Sequence, residues 1–98
     1  HLRTNTFFGL LSLRILDLSN NLIESINTKA FSNNSKLEIL ILEHNRIKNL
    51  EEYSFTNLLK LHTINLKYNN LTNLNSQFKN LTELNNLYLS NNFLNNLN

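Results

Sequence analysis

The sequence predicts an α/β solenoid: a right-handed coil with a parallel β-sheet on its concave side and irregular or short-helical arcs on its convex side. Three observations carry this. The template Leu-x-x-Leu-x-Leu-x-x-Asn-x-Leu-x-x-Leu begins at Leu13, Leu37, Leu61 and Leu84, with isoleucine replacing leucine at several slots. Those starts lie 24, 24 and 23 residues apart. Phenylalanine recurs six residues before each start, at Phe7, Phe31, Phe55 and Phe78. The array occupies residues 1–98, with a partial repeat at 1–12, full repeats at 13–36, 37–60 and 61–83, and a partial repeat at 84–98. Neither end carries a cap.

In chain order, residues 1–12 are the tail of a preceding coil, with Leu2, Phe7 and Leu10 in the slots of Leu50, Phe55 and Leu58. Each start then opens a strand. Two leucines two apart point to one face of extended chain, so Leu16 and Leu18, Leu40 and Leu42, Ile64 and Leu66, and Leu87 and Leu89 face inward. A tight bend follows at Asn21, Asn45, Asn69 and Asn92. An amide both donates and accepts, so these side chains are expected to form a ladder bonding the backbone of their own coil and the next. Ile23/Ile26, Ile47/Leu50, Leu71/Leu74 and Leu94/Leu97 return inward, and the phenylalanines stack as a column. The third arc, around Asn75-Ser76-Gln77, is one residue shorter than the others. Asn34 stands where other coils have Leu10, Leu58 and Leu81. A buried, uncompensated amide costs on the order of 1–3 kcal/mol, so this arc is expected to swing outwards.

Bulk composition narrows the function. The chain has 98 residues, a net charge of +2, a single glycine, and no cysteine, proline or methionine. Lysines are scattered along the sequence (Lys29, Lys36, Lys48, Lys60, Lys67, Lys79) without a run, which argues against nucleic acid. No apolar run is long enough to span a membrane, and no signal peptide is present. The absence of cysteine excludes disulfides and thiolate metal sites. Opening at His1 without any methionine, the chain reads as an excised piece of a longer one.

The template also ranks the surface. Outward columns run Arg14-Glu38-His62-Asn85, Ile15-Ile39-Thr63-Asn86, Asp17-Ile41-Asn65-Tyr88, Ser19-Glu43-Lys67-Ser90 and Asn20-His44-Tyr68-Asn91, with neighbours about 5 Å apart. Arg14 with Glu38 and Glu43 with Lys67 are expected cross-strand pairs, each worth about 0–1 kcal/mol. Large β-branched residues on an outward strand face are read either as a contact surface or as plain β-propensity on an exposed sheet. On the first reading the expected ligand-binding set is Ile15, Asp17, Ile39, Ile41, Glu43, Thr63, Asn65, Lys67, Tyr68 and Tyr88.

Other chemistry is weak. His44 follows its strand and His62 precedes the next, so about six residues at roughly 3.3 Å each separate them along the sheet. They cannot share a metal, and no cofactor is implied. Ser19, His44 and Asp17 lie near one end of adjacent strands, but an open sheet supplies neither a strained nucleophile turn nor an oxyanion site. Asn33-Asn34-Ser35, Asn70-Leu71-Thr72 and Asn80-Leu81-Thr82 match the N-glycosylation pattern, and asparagine is abundant enough for chance matches.

The template and its period are those of leucine-rich repeats. Phenylalanine at its slot in a 24-residue unit resembles the "typical" subclass, found mainly in animal extracellular proteins: Toll and Toll-like receptors, Slit-type guidance proteins and lamprey variable receptors. The resemblance implies an interior segment of an extracellular or cell-surface receptor, or of a secreted recognition protein. Such a segment is no enzyme, and it binds a protein or other macromolecule through its concave sheet. The rival reading is a structural repeat whose open ends stack head to tail into filaments.

Overall fold

In the computed structural model, residues 6, 7, 9–74 and 76–94 are described. Six short strands follow in order: β1 (Ile15–Asp17), β2 (Ser25–Ile26), β3 (Ile39–Ile41), β4 (Asn49–Leu50), β5 (Thr63–Asn65) and β6 (Asn86–Tyr88). The concave sheet is parallel in the order β1-β3-β5-β6, and β2 pairs with β4 in a second, two-stranded sheet. Ile15, Ile39, Thr63 and Asn86 stand in register, as do Asp17, Ile41, Asn65 and Tyr88. These are the columns the template demanded. The second sheet was not anticipated. Its residues continue the inward Ile-x-x-Ile spacing, so Ile26 lies beside Leu50 and backbone pairing follows from the stacking. Among the described residues there is no helix. The convex arcs are turns, the irregular of the two expected forms, because each is too short to recover the cost of nucleating a helix.

The core sits between coils. Leu37, Leu40, Leu42 and Ile47 are fully buried, as are Leu61, Ile64, Leu66 and Leu71 one repeat later. In the flanking coils the equivalent Leu16 and Leu18, and Leu87 and Leu89, are only half-buried. Burial thus depends on having a neighbour on both sides, as in any one-dimensional stack. The phenylalanine column is continuous: ring centroids are 5.6 Å apart for Phe7–Phe31, 6.2 Å for Phe31–Phe55 and 5.7 Å for Phe55–Phe78, all near parallel. Each stack adds about 0.5–1.5 kcal/mol beyond area burial.

Where the concave sheet ends, the chain turns through a left-handed residue, at Asn20, His44, Tyr68 and Asn91. Backbone pairing between coils continues on either side of this bend, as in His44 N to Lys67 O and Arg46 N to Ile23 O, and the asparagine that follows bridges the gap between. Asn45 Nδ2 donates to Leu18 O at 3.0 Å and Leu42 O at 3.0 Å, while its Oδ1 accepts from Ile23 N at 3.1 Å. Asn69 and Asn92 repeat the arrangement, with Oδ1 accepting from Ile47 N and Leu71 N. The inter-coil bonds reach the preceding coil, not the next one as expected from sequence. Geometry decides this: the bend carries the side chain back over the turn already laid down. Among the described residues, Asn21 bonds its own coil, through Leu18 O and Ser19 O.

A second polar tie runs on the other shoulder. Ser54 Oγ donates to Ile26 O at 2.9 Å, and Gln77 Nε2, one repeat on, donates to Leu50 O at 3.0 Å. Nothing in the apolar template marks it.

Asn34 corrects a prediction. The arc does not swing out: Asn34 is fully buried, and Nδ2 donates to Phe7 O at 3.2 Å and Leu10 O at 3.1 Å. Two backbone carbonyls of the previous coil compensate the amide, which is why it can occupy a leucine slot. Its Oδ1 has no partner among the described residues. Leu10, expected in the core, is half exposed. The inward roles assigned to Leu2 and Leu97, and the arc position of Asn75, lie outside the described residues.

Candidate functional site: the concave sheet

The concave face is divided into three zones along the strand direction. At the entry rim, Arg14 Nε donates to Glu38 Oε2 at 2.7 Å, the cross-strand pair expected from the columns. His62 Nε2 lies 3.8 Å from the other Glu38 oxygen. His62 Nδ1 is 2.9 Å from Thr63 Oγ1, which also accepts from Asn86 Nδ2 at 3.3 Å. The Arg14 hydrogen bond holds the Glu38 carboxyl below its ordinary range, helped by the charges of Arg14, His62 and Lys60 and opposed by partial desolvation.

The same rim gathers cations that look scattered in the sequence. Lys36 and Lys60 are one repeat apart, so the coil places them on successive rungs beside Arg14. Ser12, Arg14, Lys36, Glu38 and Lys60 line an open hollow of about 350 Å³. The 24-residue spacing of Lys36 and Lys60 was the legible signal.

The centre is apolar. Ile15 is 58% exposed, whereas Ile39 and Ile41, expected to face solvent, are half-buried. In-register neighbours on the adjoining strands shield them. Asp17 caps its own strand, accepting from Ser19 N at 2.9 Å and Ser19 Oγ at 2.7 Å, which lowers its pKa. Asn65 does likewise for Lys67 N at 3.1 Å. Ser19 therefore donates to Asp17 and not to an imidazole, so Ser19, His44 and Asp17 form no relay.

The exit rim is aromatic. The rings of His44 and Tyr68 stack, and Lys67 Nζ sits 5.7 Å from the centroid of the Tyr88 ring. The expected Glu43–Lys67 ion pair is absent among the described residues. An exposed pair is worth too little to hold the ammonium away from an adjacent ring face. Of the glycosylation candidates, Asn70 and Asn80 are exposed, while Asn33 is half-buried and accepts from Ser32 Oγ at 3.3 Å. A larger hollow, about 390 Å³, opens on the convex side between Tyr53, Leu59, Gln77 and Asn80. It is a cleft between two arcs, remote from the in-register columns.

Comparison with known proteins agrees with the geometry. The family model described as leucine rich repeat matches residues 1–47 and 35–94. No curated protein matches the chain. Among solved structures, TLR13 in complex with the single-stranded RNA ssRNA13 is 35% identical over 95% of this chain, with a TM-score of 0.89. The Drosophila Toll–Spatzle complex, in its glycosylated form, is 27% identical over 94% of this chain, with a TM-score of 0.86. The present chain spans 13% and 14% of those two chains. The RNA in the TLR13 complex runs against the sequence-based expectation that nucleic acid is excluded as a partner.

Proposed function

This chain belongs to the leucine-rich repeat family, and from that premise we propose that it is a recognition segment of a larger extracellular or cell-surface receptor, binding a protein through its concave sheet. The observation that carries this reading is the outward apolar group Ile15, Ile39 and Ile41, aligned across β1 and β3 and bounded by polar rims. Exposed apolar surface ringed by polar groups is the usual anatomy of a contact patch. Tyr68 and Tyr88 add rigid, half-exposed rings elsewhere on the same face. The two similar complexes, one holding an RNA and one a protein, support a macromolecular partner. Exposed Asn70 and Asn80 support a glycosylated, extracellular setting.

The test is a binding footprint. Hydrogen exchange on the parent protein with its partner should protect β1, β3, β5 and β6. Ile41→Lys or Tyr88→Ala should weaken binding while leaving the melting temperature nearly unchanged, and the convex Glu52→Ala should not affect binding. A footprint confined to the convex arcs would overturn the placement.

A further inference from the structure

The entry rim carries more charge than its local ion pairs use. Three cations, Arg14, Lys36 and Lys60, surround one carboxylate, Glu38, across an open hollow. Arg14 is engaged by Glu38 at 2.7 Å, while Lys36 and Lys60 make no ion pair among the described residues. The rim is therefore left with an excess of positive charge. Immediately inside lie Ile15 and Ile39, in register on neighbouring strands, one residue after Arg14 and three after Lys36.

We propose that this rim docks an acidic segment of a protein partner, its carboxylates set between Lys36, Lys60 and Arg14 and a neighbouring apolar side chain resting on Ile15 and Ile39. The proposal rests on the concave-face reading for its apolar half and adds the charge and position of the anchor. Its extent argues for a short anchor. The lysine column is bounded by Ser12 on one side and Glu83 on the other. Rungs about 4.8 Å apart therefore give the cationic patch a width of about 10 Å. That suits a few carboxylates and is too small to track a polynucleotide backbone, whose binding draws on many distributed phosphate contacts. The rest of the face also disfavours a polyanion: Asp17, Glu38 and Glu43 stand on it, and its central zone is aliphatic where bases would need ring faces. Of the rings on the face, His44 and Tyr68 lie at the opposite rim stacked on each other, and Tyr88 has Lys67 Nζ 5.7 Å from its centroid.

The experiment uses the folded chain with a dye-labelled, glutamate-rich peptide bearing leucines, the same peptide with glutamine for glutamate, and a single-stranded RNA of similar length. The glutamate peptide should bind, the glutamine peptide should not, and added salt should weaken the complex. Joint Lys36→Glu and Lys60→Glu substitution should reduce affinity roughly tenfold or more, since it reverses the field at the rim. The convex Lys79→Glu should leave it unchanged, and Glu38→Gln should strengthen it. All these side chains are at least partly exposed, and circular dichroism would verify that each variant folds. No binding, binding that survives the double reversal, or preferential binding of RNA through the same lysines would each overturn the proposal. Failure at the rim with a concave footprint intact in the parent protein would leave the broader function standing.

Discussion

His44 and Tyr68, one repeat apart, stack ring on ring with centroids 4.3 Å apart and planes within 8°. Both hold left-handed backbone, with φ of 58°. The equivalent residues in the outer coils, Asn20 and Asn91, are of the type that adopts this conformation most easily. The stack therefore coexists with local strain at the exit rim of the concave sheet.

Strain and stacking should nearly cancel in stability. His44→Asn relieves the backbone but removes a contact worth about 0.5–1.5 kcal/mol. The expected net change is within about 1 kcal/mol by chemical denaturation. A loss well beyond that would mean the stack itself holds the coils together.

The asparagine ladder makes a sharper prediction. Asn45→Ala strands Ile23 N and removes one of the two side-chain donors that Leu18 O and Leu42 O each have, and should cost about 1–3 kcal/mol. Asn92 makes the corresponding bonds to Leu71 N, Leu66 O and Leu89 O, so Asn92→Ala should be comparably costly despite its position in the last coil. Asn21, bonded within its own coil among the described residues, should lose about 0.5 kcal/mol or less as alanine. Urea unfolding of the three variants checks the ranking, and equal losses at Asn21 and Asn45 would contradict the directional ladder.

Asn34 offers a test of polarity at constant shape. Asn34→Asp replaces the Nδ2 donor with a second oxygen facing the Phe7 and Leu10 carbonyls in a buried site. At neutral pH this should cost about 3–5 kcal/mol, as an unpaired buried charge does. Burial raises the pKa of such a carboxyl, so the penalty should shrink as acid protonates it. A neutral effect in denaturant titrations at both pH values would show that the site admits water.

Acid should weaken the parent chain. Asp17, Glu38 and Glu51 all have lowered carboxyl pKa values, Glu51 because it accepts from Thr28 N at 2.8 Å and Thr28 Oγ1 at 2.9 Å. Their stabilisation is complete above the ordinary carboxylate range near pH 4 and is lost as pH falls through the lower folded values. Asp17 and Glu51 are exposed and Glu38 is partly so, so the effect is modest and should be screened by salt. Glu51→Gln should flatten the acid limb of stability against pH. An unchanged limb would remove the Thr28 bonds from the account.

Much of this architecture was legible because the repeat measures itself. Once Leu13, Leu37, Leu61 and Leu84 set the phase, the columns Ile15-Ile39-Thr63-Asn86 and Asp17-Ile41-Asn65-Tyr88 follow with no freedom. The misses share a different cause. Asn34, Ser54 and Gln77 act through hydrogen bonds to carbonyls one coil earlier, and the periodicity of apolar residues says nothing about polar partners. Lys67 chose a ring over Glu43 because both options were within reach, and exposed charges are decided by small differences. Lys36 and Lys60 looked scattered only while read as a line; folded to the repeat length, they are neighbours.

The backward reach of Asn45, Asn69 and Asn92 gives the molecule an arrow in time as well as in space. A ribosome delivers the chain in the same direction, so each coil emerges before the amide that fastens it. Closure of a coil must wait until roughly one further repeat has been synthesised. Assembly is then a ratchet in which every new turn seals the one before it, and the growing tip is always the least finished part. A translational pause at a repeat boundary would leave a single coil unsealed while the earlier ones stay locked.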